Sequence, residues 1–94
     1  MINYKLVILI CLLNTISIFP NPSEGIFNIS IEGVSEKIQM KVFDVQGNDY
    51  RFIEIEGTNS IISEKLDLND LSAGVYFISF SGKDFSRVKK IVIQ

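Results

Sequence analysis

Nucleophilic and metal chemistry need side chains that this chain mostly lacks. It holds no histidine, and its single cysteine, Cys11, lies in an apolar stretch near the N-terminus. A Ser-His or Cys-His pair, in which imidazole takes the nucleophile's proton, therefore cannot form within the chain. A zinc site of His and Cys ligands is ruled out on the same ground. Eleven carboxylates remain, which permits a general acid–base pair in principle, but no cluster of them suggests one. Asp67-x-Asn69-Asp70 offers oxygens to calcium, yet the Gly and Glu that complete an EF-hand loop do not come after it. Turn formation explains these residues better. No catalytic residue, cofactor site or metal site is expected.

Two other signals concern binding rather than reaction. A module that stacks on carbohydrate needs aromatic side chains in a row on one sheet face. Tyr50, Tyr76 and Phe85 are the candidates, and tryptophan is absent. Asn28-Ile29-Ser30 has the form of a glycosylation acceptor, but it falls inside a predicted strand.

Length and composition bound the rest. Ninety-four residues allow one small domain. A net charge of −2 argues against a nucleic-acid binder that relies on phosphate contacts. Residues 1–17 differ in kind from the remainder of the chain. Their only charge is Lys5, and residues 6–13 are eight apolar residues in a row. Eight is far below the roughly 18 to 20 that span a bilayer. It suits the apolar region of a secretory signal peptide, with Thr15-Ile16-Ser17 as the cleavage stretch and a mature chain beginning near Ile18. The competing reading of the same run is a buried N-terminal strand.

The remaining charge is unevenly spread. Residues 83–94 carry Lys83, Arg87, Lys89 and Lys90 against Asp84, a net of +3, whereas residues 18–82 carry a net of −6. A basic end on an acidic body steers a partner with a negative surface. Lysines that keep an edge strand from aggregating give the same pattern.

The elements that position these groups read as strands. Pro20-Asn21-Pro22 excludes helix, because each proline restricts itself and its predecessor to extended or turn geometry. Every glycine, from Gly25 to Gly82, then falls at a break between short runs rich in β-branched and aromatic residues. Residues 26–32 alternate, with Phe27, Ile29 and Ile31 on one face. Residues 37–44 do likewise with Ile38, Met40 and Val42. Residues 49–56 alternate less tidily, as an edge strand with a bulge does. Residues 61–68 are apolar at Ile62, Leu66 and Leu68 but not at Glu64 on the same face. Residues 75–80 are apolar almost throughout, which predicts a central strand covered on both faces. Residues 85–93 close the domain. The chain is thus expected to be all-β, a small antiparallel, Ig-like β-sandwich of six to seven strands. Its modest core would rest on Phe27, Val42, Phe77, Phe80 and Ile91.

Leu68-x-x-Leu71-x-x-Gly74-x-Tyr76 has its own physical logic. Asn69, Asp70 and Ser72 favour turns by bonding to nearby backbone, and Gly74 lets the chain reverse into the strand carrying Tyr76. Leu68 and Leu71 can plug the open end of a sandwich. Taken with Pro20-Asn21-Pro22, with Val42-Phe43-Asp44-Val45-Gln46-Gly47, and with the Lys89-Lys90-bearing last strand, this stretch completes an ordered set over residues 19–94. The set resembles the C-terminal sorting domain of cargo exported by the bacterial type IX secretion system. In that family the domain comes after a large cargo, whereas here Pro20 directly adjoins the signal-like segment.

The resemblance implies a non-catalytic secretion signal over residues 18–94, behind the leader at residues 1–17. It implies passage through the periplasm, recognition by the outer-membrane translocon, and release or display at the cell surface by a sortase-like peptidase. No nucleic acid or small-molecule substrate is implied. The residues expected to carry recognition are Leu71, Gly74, Tyr76, Lys89, Lys90 and Ile91. The alternative from another class is a small secreted binding module for carbohydrate or protein.

Overall fold

The structure, a computed structural model, describes residues 15–58 and 60–94. Seven strands succeed one another: β1 (Thr15–Phe19), β2 (Ile26–Glu32), β3 (Ile38–Asp44), β4 (Asp49–Ile55), β5 (Ile62–Asp67), β6 (Gly74–Ser81) and β7 (Ser86–Ile93). The described residues contain no helix. The apolar run at residues 6–13 and Cys11 lie outside the described residues. Thr15, Ile16 and Ser17, expected as a cleavage stretch, form the first part of β1, where Ile16 packs against the core.

The strands build two antiparallel sheets, β1-β2-β5 and β4-β3-β6-β7. This is the all-β sandwich expected from the alternation. The β2–β3, β4–β5 and β5–β6 connections each pass from one sheet to the other. In the constant-type immunoglobulin arrangement the fourth strand joins the first sheet; here β4 pairs with β3 instead. β4 is the edge strand its sequence suggested, and its register with β3 shifts between Val42 and Phe43.

The core lies between the sheets and comes from the inward positions of both. Phe27, Ile29 and Ile31 of β2 face Ile38, Met40 and Val42 of β3, Ile78 and Phe80 of β6, and Ile91 and Ile93 of β7, all in one buried cluster. Gly25 closes one end. Its carbonyl accepts the Leu68 N–H at 2.7 Å, and a Cβ there would lie 2.5 Å from Asn69 Oδ1, with φ at 135°.

The structure corrects the reading of residues 75–80. β6 is internal to its sheet, but only one of its faces is covered. Tyr76, Ile78 and Phe80 are buried, whereas Val75 is 41% exposed and Phe77 only half-buried. A two-layer sandwich leaves the outer face of each sheet to solvent, so the continuous apolar run serves two surfaces. Phe77 therefore stands outside the core assigned to it. It stacks on Phe43 of the neighbouring strand, with ring centroids 5.7 Å apart and planes 26° apart.

Candidate functional site

The turn between β5 and β6 is tied down at several points. Asp67 Oδ1 accepts the Asn69 N–H at 3.0 Å, and the Leu68 carbonyl accepts the Leu71 N–H at 3.0 Å. Leu68 is fully buried and Leu71 packs partly on the core, so the pair plugs the sandwich end as its three-residue spacing suggested. Tyr76 points inward, and its hydroxyl donates to the Ser72 carbonyl at 2.7 Å. This tethers the turn to the strand it feeds, much as the tyrosine corner does in immunoglobulin-like domains. Gly74, at φ 156°, makes the bend; a Cβ there would meet only Tyr76 Cε2, at 3.9 Å. Backbone conformation, rather than space, asks for glycine at this position.

The sequence readings of the Asp67–Asp70 stretch divide cleanly. Asp67 serves the turn, and Asp70 pairs with Arg51 on β4. The hydrogen bond from Arg51 is the main reason that the Asp70 carboxyl lies below its usual pKa. Arg51 Nη2 also donates to the Asp67 carbonyl at 3.3 Å. These oxygens thus stitch one sheet to the other across the sandwich end.

β7 runs antiparallel to β6, with Arg87 opposite Phe80, Lys89 opposite Ile78, Lys90 opposite Phe77 and Ile91 opposite Tyr76. Side chains alternate across a strand, so the two lysines occupy opposite faces. Lys89 and Arg87 lie on the core-side rim, in line with Ile91. Lys90 lies on the outer face beside the Phe43–Phe77 stack. Ile91 is fully buried, so its side chain packs within the sandwich and reaches no partner of the folded domain. Lys89 and Lys90 are both exposed.

The outer edge of β7 is covered along half its length by the chain's own N-terminal side. After β1 the chain leaves its sheet at Pro20 and crosses to the other. There Asn21 Nδ2 donates to the Lys90 carbonyl at 2.9 Å, and Asn21 Oδ1 accepts the Val92 N–H at 3.0 Å. Ser23 continues as a short parallel bridge to Ile93. Its N–H donates to the Val92 carbonyl at 3.0 Å, and its carbonyl accepts the Gln94 N–H at 2.8 Å. Proline suits this strap because it has no N–H to satisfy where the chain is between sheets. Sequence reasoning singled out Pro20-Asn21-Pro22 but missed what Asn21 does. No local spacing reports an amide that bridges residues 69 and 71 positions away.

The aromatic candidates form no binding row. Tyr50 meets Tyr76 edge-on, at 5.5 Å and 80°, and Tyr76 is buried. Phe85 sits at the other end of β6, in the β6–β7 hairpin, partly buried against the core. The Tyr50 hydroxyl donates to Asp44 Oδ2 at 2.7 Å. That bond, helped by others from Asn48 and Gln46, holds the Asp44 carboxyl down at about 2, and it raises the Tyr50 pKa. The cluster fastens the 44–48 turn. Asn28 lies exposed within β2, on the outer face of the three-stranded sheet.

Residues 17–94 match the family model of the secretion system C-terminal sorting domain. No curated protein matches the chain. The match begins at Ser17 within β1 and takes in the strap and every later strand to β7. The chain therefore belongs to the secretion system C-terminal sorting domain family, the sorting signal of type IX secretion.

Proposed function

We propose that residues 18–94 act as a folded address, without chemistry of their own, that directs a protein through the type IX outer-membrane translocon to the bacterial cell surface or medium. A sortase-like peptidase then acts on the delivered protein. Residues 1–17 serve as the leader that brings the chain to the periplasm, and their removal leaves β1 with only Ile18 and Phe19 of its Thr15–Phe19 span. N-terminal sequencing of the exported product should find a start near Ile18, and a retained Met1 would refute the leader.

The observation that carries this reading is the match of residues 17–94 to the sorting-domain family, and within that domain the last strand projects Lys89 and Lys90 from opposite faces at the rim of the packed sandwich. Leu71 and Gly74 shape the turn before β6, and Tyr76 and Ile91 act from beneath by holding both segments in place. A partner that reads the folded domain meets the lysines and the turn.

The test fuses the domain to a reporter in a type IX-competent bacterium. Replacing Lys89 and Lys90 together by alanine should leave stability within about 0.5 kcal/mol, as for other surface substitutions. The reporter should then stay folded and accumulate in the periplasm. Normal surface display of this variant would refute the role of the basic end. Single replacements report which face is read, because the two side chains point opposite ways.

A further inference from the structure

The strap stops at Lys90, and the rest of the β7 edge is open. In an antiparallel pair alternate residues turn their backbone groups toward the partner strand. The Gly82 N–H to Phe85 carbonyl bond at 2.9 Å sets the phase of the β6–β7 hairpin, and the strap bonds on Lys90, Val92 and Gln94 agree with it. Odd-numbered residues of β7 therefore bond to β6, and even-numbered ones face outward. The Ser86 N–H, both backbone groups of Val88 and the Lys90 N–H are left along this edge. The Ser86 carbonyl already takes Arg87 Nη1, at 3.0 Å. Beside them stand Arg87 and Lys89 on the core-side rim and Val88, 58% exposed, on the outer face. Among the described residues no carboxylate forms an ion pair with Arg87, Lys89 or Lys90.

We propose that residues 86–90 receive an extended acidic segment of a partner protein, added as a further strand with carboxylates at every second position and apolar side chains between them. The carboxylates meet Arg87 and Lys89, and an apolar side chain lies beside Val88. Five residues of strand give a docking length of about 17 Å. Charged edges commonly serve to block pairing, and Arg87 and Lys89 do oppose any neutral or basic strand, a second copy of β7 included. The same charges favour an acidic strand, because opposite charges directly across a pair stabilise it and like charges destabilise it. Rejection of wrong partners and selection of the right one are thus one feature. The proposal rests on the sorting reading only for placing this partner on the export path.

The experiment uses the full chain and two blocked synthetic pentapeptides, one alternating glutamate with valine and one alternating lysine with valine. Amide hydrogen exchange is measured by NMR at Val88 and Lys90. The acidic peptide should slow exchange at both amides and the basic peptide at neither. Raising the salt from about 50 mM to about 500 mM should remove most of the effect, since exposed charges are screened within a few ångströms there. Val88→Pro deletes an outward N–H while sparing the bonds to β6, a position where edge strands tolerate proline. It should keep the fold and lose at least tenfold in peptide affinity. Combined Arg87→Glu and Lys89→Glu should transfer the preference to the basic peptide. Protection by neither peptide, or equal protection by both, overturns the proposal and leaves the cations as edge protection alone. In the reporter assay, loss of export by the folded charge-reversed variant supports the proposal. Its normal export overturns the proposal and leaves the sorting reading standing, whereas failure of the unaltered domain to direct export overturns the sorting reading instead.

Discussion

Replacing Asn21 by alanine removes both bonds by which one side chain stands in for a strand, the 2.9 Å bond to the Lys90 carbonyl and the 3.0 Å bond from the Val92 N–H. Each ordinary hydrogen bond contributes about 0.5 to 1.5 kcal/mol net, and exposure of this pair puts both toward the low end, so the variant should lose about 1 to 2 kcal/mol. For a domain of this size that lowers the melting temperature by about 5 to 15 °C. Thermal unfolding monitored by circular dichroism measures the loss, and exchange of the Val92 amide localises it. Asn21→Asp keeps the acceptor for the Val92 N–H but aims an oxygen at the Lys90 carbonyl, so it should recover no more than half. A melting temperature within about 2 °C of the parent, with Val92 exchanging at its original rate, would refute the argument that the Asn21 side chain holds the strap to the edge. The Ser23 bridge alone would then hold it.

The same geometry sets three further outcomes. Gly74→Ala should cost about 1 to 3 kcal/mol through backbone strain, because its Cβ would meet nothing closer than 3.9 Å; an unchanged urea midpoint would show that residue 74 relaxes freely. Ile91→Ala, at a fully buried position, should cost about 2 to 5 kcal/mol, against almost nothing for Lys89→Ala, and equal losses would contradict the alternation along β7. Asp44 has its pKa lowered from 3.8 to about 2 by the Tyr50 hydrogen bond. The unfolded chain therefore binds the proton first on acidification. The stability from Asp44 is complete above about pH 4 and is lost as pH falls toward 2, so the melting-temperature gap between the parent and Asp44→Asn should shrink over that interval. A gap independent of pH from 6 to 2 would refute this.

Much of the fold was legible because strands write their pattern locally. Phe27, Ile29 and Ile31, or Ile38, Met40 and Val42, alternate with polar neighbours, and period two leaves little choice of element or inward face. The Leu68–Tyr76 turn was readable for a similar reason. Its glycine and its two leucines act within nine residues of one another, whereas Asp70, expected to bond to nearby backbone, pairs with Arg51 of β4 instead. The irregular alternation of residues 49–56 matched an edge strand with a shifted register, and that too is a local mark. Residues 75–80 misled because an apolar run looks the same whether its second face is covered by another layer or only by a neighbour's ring, as Phe77 is by Phe43.

The sequence by itself determined the all-β class, most of the strand boundaries, the lack of any histidine-based chemistry, and the ordered motifs that match the sorting family. Only the tertiary structure decided how the basic end is presented. Lys89 and Lys90 are neighbours in the chain, but pairing with Ile78 and Phe77 sends them to opposite faces, and Ile91 beside them disappears into the core. The same holds for the edge they share. Whether a strand's outer backbone groups are free depends on what else arrives there, and here Asn21 and Ser23 arrive from about 70 residues away. Alternation is a property of consecutive residues, whereas coverage of an edge is a property of the closed sandwich.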